Sequence, residues 1–303
     1  MIRLDRPSAN DAVTGSCRLY EVTIPDPVAC LPRRARFRGG RHHRHPSHTS
    51  LVVDSAGTPS IADHERSCGL TIASREPRCA VTFRERQPTF AGLSRKTRRM
   101  VSGRGPHEYA AFRLFEMDTG IVDYVLQGTV VTIRFADGEA KHYSDYITVD
   151  ENCSTSAGEI KADASHFAPP AFRHRMELCA SAYATHGISF RRDTGASLRG
   201  SARFELNLGR AFGDRFTRVE PARAACVAET LARGAGEAAL GAIEELLDSD
   251  PLAARAKAHA LMCTRALHLP LAERLGKDTR VTVPKYPKSV PDIRAIGASA
   301  TDF

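Results

Sequence analysis

Apolar and polar positions form regular patterns in the middle of the chain, and these patterns predict the first elements of a domain. After Pro106, which suits the first turn of a helix, apolar side chains at helical spacing predict a helix over 106–117. Residues 129–135 form a largely β-branched and apolar run that predicts a strand. Asp137-Gly138 is a typical hairpin turn, and the alternating segment 140–149 after it predicts a second strand.

The pattern continues with two further strands and a second helix. Polar and small residues over 150–157 predict a loop, and 158–162 indicates a short third strand. Apolar side chains spaced by three and four residues predict a helix over 169–186, and 188–190 indicates another strand. Because the order is helix, three strands, helix and strand, the sequence predicts an α/β domain over 98–195.

The last third of the chain, 196–303, is rich in alanine and leucine and predicts a separate helical domain. Helices are expected over 222–233, 237–247 and 251–266, and a β-hairpin over 276–283. Short helices, a tight turn and a hairpin together indicate a winged-helix module. A generic helical bundle is the alternative.

The first 97 residues lack sustained periodicity and predict a disordered basic arm. Residues 1–104 hold 19 Lys and Arg against 9 Asp and Glu, whereas the remainder holds 24 basic and 26 acidic residues. A basic arm on a nearly neutral body is typical of contact with nucleic acid, and a solvated extension without a partner is the alternative. A further alternative is that translation starts at Met100.

Composition argues against several classes of protein. None of the eight cysteines forms a Cys-x-x-Cys pair, which leaves a zinc ribbon or a thioredoxin-type motif unsupported. The first residues lack the apolar core of a signal peptide, and no stretch approaches the ~18–20 apolar residues of a membrane helix. We therefore expect a cytoplasmic protein without membrane contact. The cluster His42, His43, His45 and His48 offers a metal site as an alternative to plain polar sequence.

Carboxylates and a lysine stand together on the second and third predicted strands. Because side chains alternate along a strand, Glu159 and Lys161 share one face and Ile160 points to the other. Asp145 on the neighbouring strand reaches the same face, and Glu108 on the preceding helix adds a third carboxylate at the edge. Carboxylates bind Mg²⁺, which keeps several waters, and a nearby lysine stabilises an anionic transition state. This set predicts hydrolysis of a phosphodiester.

A triplet of acid, any residue and lysine is a weak motif, and the chain holds a second one at Glu139-Ala140-Lys141. Its charges follow directly after the turn at Asp137-Gly138, where water solvates them. Glu159 and Lys161 instead follow a strand that bears an aspartate. The alternative interpretation is that they are ordinary exposed residues on a sheet.

Residues from about 104 to 210 resemble the TnsA family of transposition endonucleases, which have the PD-(D/E)XK restriction-enzyme-like fold. The C-terminal helices resemble the winged-helix part of that family. Ser144 and Gly128 stand where the family usually has proline, which shapes the strands rather than the chemistry. The similar segments are the helix that carries Glu108, Val130–Phe135, His142–Tyr146, Glu159–Lys161, Gly187–Phe190 and Asn207-Leu208.

The resemblance implies a restriction-endonuclease-like mixed sheet and an enzyme that nicks double-stranded DNA at transposon ends. Mg²⁺ is the implied metal, with Mn²⁺ as the alternative, and the implied partners are a separate transposase and an ATP-binding regulator. Asp145 and Glu159 would hold the metal, Glu108 would support it and the Ile160 carbonyl would add a ligand. Lys161 would position or activate the attacking water.

Two other functions remain open on the sequence. In one, the nuclease-like fold is an inert scaffold and the basic arm and winged helix bind DNA or assemble a complex. In the other, the chain is a restriction or repair nuclease with the same core.

Overall fold

In a computed structural model, residues 67–74, 88–135, 138–287 and 289–293 are described, all within the unit Gly57–Phe303. The strands are β1 Ser67–Ser74, β2 Thr89–Leu93, β3 Met100–Arg104, β4 Ile121–Phe135, β5 Gly138–Asp150, β6 Thr155–Lys161, β7 Ser189–Thr194, β8 Glu237–Ala239 and β9 Arg280–Thr282. The α-helices are α1 Gly105–Met117, α2 Pro170–Ala184, α3 Ala202–Asp214, α4 Pro221–Arg233, α5 Leu240–Leu247 and α6 Pro251–Cys263. A single 3₁₀ turn covers Ala164–Phe167 among these residues.

Five strands form a mixed sheet in the order β1-β4-β5-β6-β7. Neighbouring strands are antiparallel except for β6 and β7, which run parallel because α2 returns the chain between them. The structure is therefore of the mixed α/β type, as the sequence predicts, with further helices towards the C-terminus.

Separate clusters of buried side chains cover the two faces of the sheet. The α1-side core contains Phe112, Tyr124, Tyr146 and Ile160 among others, and it continues into side chains of α3 to α6. The α2-side core contains Val131, Ile147, Ala157, Met176 and Tyr183 among others. Strands β5 and β6 are thus buried on both faces, which gives the side chains between them rigid surroundings.

The last helices and two short strands lie against the α1 side. Helix α3 packs against α1 and α6, and α5 packs between α4 and α6 in contact with both. Strand β8 pairs with β9 in an antiparallel ladder from Glu237–Thr282 to Ala239–Arg280. None of the helices in the described part of the chain combines the length and apolar character that crossing a bilayer requires.

The main predicted helices and strands are confirmed, but several bounds differ. Strand β4 begins at Ile121 rather than near 129. The predicted loop 150–157 shrinks to four residues because Asp150 Oδ1 accepts hydrogen bonds from the backbone N–H groups of Asn152 and Ser154, at 2.8 and 2.9 Å. Such a side-chain-stabilised turn lets both strands continue almost to the tip.

The predicted hairpin over 276–283 is wrong. Strand β9 pairs with Glu237–Ala239 instead, a segment whose composition predicts the start of a helix. The backbone N–H groups of Leu240 and Gly241 donate to the carbonyls of Thr279 and Lys277, each at 2.8 Å. Tertiary pairing thus overrides local propensity at this position.

Ordered strands also occur inside the segment that the sequence assigns to a disordered basic arm. Strand β1 pairs with β4 along its whole length, and β2 pairs with β3. Helix α3 was not predicted either, although Ser201 caps it by accepting from Phe204 N at 3.2 Å. The histidine cluster at 42–48 and the turn residue Asp137 lie outside the described residues.

Candidate active site

The candidate site lies where β5 and β6 stop pairing. Their ladder runs from Val149–Thr155 to Tyr146–Gly158 and ends there. At the next position Asp145 Oδ2 accepts a hydrogen bond from the backbone N–H of Ile160, at 2.6 Å. A side-chain carboxylate thus replaces the backbone acceptor that a continued ladder would supply.

Strand β6 separates its charged side chains from its apolar one, as the alternation predicts. Ile160 is buried in the α1-side core. Lys161 lies on the α2 side, where its Nζ is 5.2 Å from the ring centroid of Phe172. Glu159 lies on the same side as Lys161 and forms an ion pair with it.

Glu159 is almost fully buried, with 4% of its surface exposed. Its Oε1 pairs with Lys161, and its Oε2 lies 3.3 Å from Nε2 of His142. The contact with His142 lacks the alignment of a hydrogen bond, so Glu159 Oε2 and His142 Nε2 are buried without a hydrogen-bond partner. Burial opposes ionisation of Glu159, but His142 and Lys161 outweigh it and hold the pKa of this carboxyl below its usual range.

Asp145 shows the opposite shift. The pKa of its carboxyl is raised to about 8, mainly by burial and also by the nearby negative charges of Glu159 and Glu108, against the opposing effects of the Ile160 N–H and Lys161. The site therefore holds more buried negative charge than its own cations balance.

Glu108 is held at the edge of this group by the first turn of α1. Its carboxylate accepts from the backbone N–H of Arg104 and from Nε2 of Gln127, each at 3.1 Å. Burial raises the pKa of Glu108, and the charge of Glu159 adds to that effect. Gln127 reaches this carboxylate from a bulge in β4, where it has a φ of 53° and an extra residue lies between the pairs of Leu126 and Thr129.

Two hydrogen-bond networks fix the strand on either side of Asp145. Ser144 Oγ lies 2.7 Å from the hydroxyl of Tyr183 in α2, which is also 2.6 Å from Thr129 Oγ1. On the other side the Tyr146 hydroxyl donates to Asp193 in β7. Because both neighbours are buried and anchored, Asp145 has little freedom to move away from β6.

All the predicted site residues lie in this region, but the structure adds two that the sequence reasoning missed. His142 contacts Glu159, and Gln127 contacts Glu108. His142 stands within the segment 142–146 that the sequence analysis singles out, so the pattern contained it without indicating its role. Gly128 within a strand is a sequence sign of a bulge, and it could have pointed to Gln127.

The second acid-x-lysine triplet behaves as its sequence context predicts. Glu139 and Lys141 pair with each other at 3.0 Å, and each side chain is about half exposed, at 48% and 51%. Water screens such a pair, so the triplet lacks the buried, charge-rich surroundings of Glu159 and Lys161.

The donor chemistry of the site fits a divalent cation, although the ligands are not assembled in advance. Carboxylate oxygens are what Mg²⁺ prefers, and the raised pKa of Asp145 marks a deficit of positive charge. Within the described ranges, however, no three His, Cys, Asp or Glu side chains are arranged to hold a metal ion. Lys161 occupies one oxygen of Glu159 instead.

Comparison with known proteins does not assign the chain to a family. No protein-family model matches the sequence, and no curated protein matches it either.

Proposed function

We propose that this chain is a metal-dependent DNA endonuclease that nicks transposon ends. The observation that carries the proposal is the grouping of Asp145, Glu159 and Lys161 where β5 and β6 separate, with Glu108 at the edge. Buried carboxylates that share a site with one lysine are costly for stability, which favours a chemical role for them.

We assign each residue a role from its position. Asp145 and Glu159 would hold Mg²⁺ or Mn²⁺, with Glu108 and the Ile160 carbonyl in support, and the bound cation would supply charge neutralisation at the phosphate. His142 and the Tyr183 network keep the carboxylates in place. Lys161 would stabilise the anionic transition state or take part in activating the attacking water.

The architecture around the site supports a restriction-endonuclease-like assignment. A mixed sheet with one helix on each side presents the acidic and basic groups from adjacent strands. The order α4, β8, α5, α6 and β9 follows the succession of helices and strands in a winged helix. By resemblance to TnsA, the partners would be double-stranded DNA, a separate transposase and an ATP-binding regulator.

A plasmid or transposon-end nicking assay with Mg²⁺ or Mn²⁺ tests the proposal. We expect nicking by the full chain, and a loss of about 100-fold or more in Asp145→Ala and Lys161→Ala. Lys141→Ala is the matched control, because it removes the lysine of the exposed triplet and should leave the rate unchanged. Nicking that survives both site variants would exclude this active site.

A non-catalytic DNA-binding or assembly protein is the second candidate. The pairing of Glu159 with Lys161 and His142, together with the lack of an assembled set of metal ligands among the described residues, favours it. It predicts salt-sensitive DNA binding without cleavage, and an affinity that Lys161→Ala does not change.

A further inference from the structure

One arginine on the edge strand of the sheet lies beside the candidate site. Phe190 in β7 stacks on Tyr183 of α2, with ring centroids 5.5 Å apart, so it points to the α2 side. Asp193 points to the opposite side, where it accepts from Tyr146. Alternation along β7 therefore places Arg192 on the α2 side, with Phe190, Glu159 and Lys161.

Arg192 is also level with the carboxylates. In the parallel ladder between β6 and β7 its Cα partner is Glu159, and adjacent strands lie about 4.8 Å apart. Its side chain is exposed, and in the described part of the chain it has no ion-pair or hydrogen-bond partner. An arginine that stays unpaired next to a group of carboxylates is available to an external anion.

A second arginine lies on α2, where Arg175 follows Phe172 by three residues, and the ring centroid of Phe172 is 5.2 Å from Lys161 Nζ. Arg175 lies one helical turn before Cys179, whose thiol is buried and has a pKa raised to about 12. Burial is the main cause of that shift, and the charges of Glu159 and Arg175 act on the same thiol in opposite directions. Arg175 is partly exposed and, like Arg192, has no described ion-pair partner.

The guanidinium groups of Arg192 and Arg175, on the side of the sheet that carries Lys161, match the chemistry of a phosphodiester strand. A guanidinium presents a fork of N–H donors that fits phosphate oxygens, whereas a carboxylate-lined site alone repels them. We propose that Arg192 and Arg175 form a phosphate-binding pair that positions the backbone of one DNA strand across Lys161. The inference rests on the proposed function for the identity of its ligand.

The strand itself supplies a matched control. Arg191 is adjacent in sequence and exposed, but it lies on the opposite side of the sheet, 3.2 Å from Asp193 Oδ1. Arg191→Gln and Arg192→Gln thus remove the same charge from neighbouring positions on opposite faces. The basic N-terminal segment is present in all variants, so its contribution to DNA binding cancels in the comparison.

The test is binding of the full chain to a fluorescent DNA duplex at several salt concentrations, with Ca²⁺ replacing Mg²⁺. We expect Arg192→Gln to weaken binding about 5- to 10-fold and to reduce the slope of log K against log salt by about 1. Arg175→Gln should act in the same direction, and Arg191→Gln should change the affinity by less than about 2-fold. Equal losses in Arg191→Gln and Arg192→Gln, or no DNA binding by the wild-type chain, would overturn the inference.

Nicking assays on the same variants separate this inference from the proposed function. If the wild-type chain binds DNA through Arg192 but never nicks, the proposed function fails and the phosphate-binding pair stands. If the wild-type chain nicks and Arg192→Gln and Arg175→Gln both bind and nick normally, only the phosphate-binding pair fails.

Discussion

His142 Nε2 lies 3.3 Å from Oε2 of Glu159, and each of these side chains exposes less than a tenth of its surface. The carboxylate is thus placed between an imidazole on one side and the ammonium of Lys161 on the other. Because the imidazole lies against this carboxylate oxygen, we expect His142 to be a positioning residue in the proposed nuclease rather than a catalytic one.

Replacing His142 tests this role. We expect His142→Phe to slow nicking by about 10- to 100-fold, because Glu159 loses a partner that orients it. His142→Gln should recover part of the rate, since its amide N–H can donate to the same oxygen. The concentration of Mg²⁺ that gives half of the thermal stabilisation should rise in His142→Phe and not in the control His186→Gln, whose histidine is exposed after α2. Equal rates in His142→Phe and His142→Gln would contradict the role.

The two central carboxyls should have opposite effects on the stability of the metal-free protein. The folded-state pKa of Asp145, about 8, is above its usual value of 3.8, so folding favours the protonated form. Its contribution to stability is complete below about pH 4 and is lost as the pH rises to about 8. Asp145→Asn should therefore stabilise the metal-free chain at pH 8 by roughly 1–3 kcal/mol, discounted for partial exposure, and leave it unchanged near pH 4.

Glu159 provides the contrast. Because its pKa is lowered, the ionised form stabilises the fold above the ordinary glutamate pKa, and that contribution disappears as the pH falls. Glu159→Gln should destabilise the metal-free chain at pH 8 by about 2–4 kcal/mol, since His142 and Lys161 lose their buried partner. Thermal unfolding of both variants in EDTA measures whether each substitution stabilises or destabilises the metal-free chain. A loss of stability in Asp145→Asn at pH 8 would show that its carboxyl is ionised without cost.

Strand β5 shows how far sequence reasoning reaches at the site. Alternation correctly separates Ile160 from Glu159 and Lys161 on β6, because that strand is short and regular. On β5 a strict period of two would place His142 and Ser144 on the same face as Tyr146. The structure instead directs His142 to Glu159 and Ser144 to Tyr183, on the α2 side, while Tyr146 lies in the α1-side core.

The change of face occurs at Asp145 in β5, opposite the bulge in β4. Leu126 pairs with Tyr146 and Thr129 pairs with Ser144, so β4 has one more residue than β5 between these pairs. Asp145 is the single β5 residue at this shift in register. Bulges depend on how two strands fit together, which hydrophobic periodicity in one strand does not report. Long elements such as α1 and α2 were predictable because each carries its own periodic apolar face and helix-start signal.

Glu116 is a second buried carboxylate whose partners the sequence did not indicate. It is completely buried, and its oxygens accept from Ser94 Oγ and Arg95 N at 2.6 Å and from the Tyr124 hydroxyl at 2.7 Å. We expect Glu116→Gln to lower the free energy of unfolding by about 2–4 kcal/mol, because an amide N–H would face these donors. Glu220→Gln, which alters a solvent-exposed pair with Lys257, should cost much less than Glu116→Gln. Urea denaturation measures both, and similar losses would contradict the special role of Glu116.

Because two partners of Glu116 precede Met100, truncated chains can test whether the segment before Met100 stabilises the fold. A chain that begins at Met100 lacks β1, β2 and the donors on Ser94 and Arg95, so the charge of Glu116 would be buried with fewer hydrogen bonds. We expect that chain to lose at least about 3 kcal/mol of stability relative to one that begins at Gly57, which keeps every described residue. Urea unfolding of the two truncated chains gives the comparison. Equal midpoints would mean that the segment before Met100 contributes nothing to the stability of the fold.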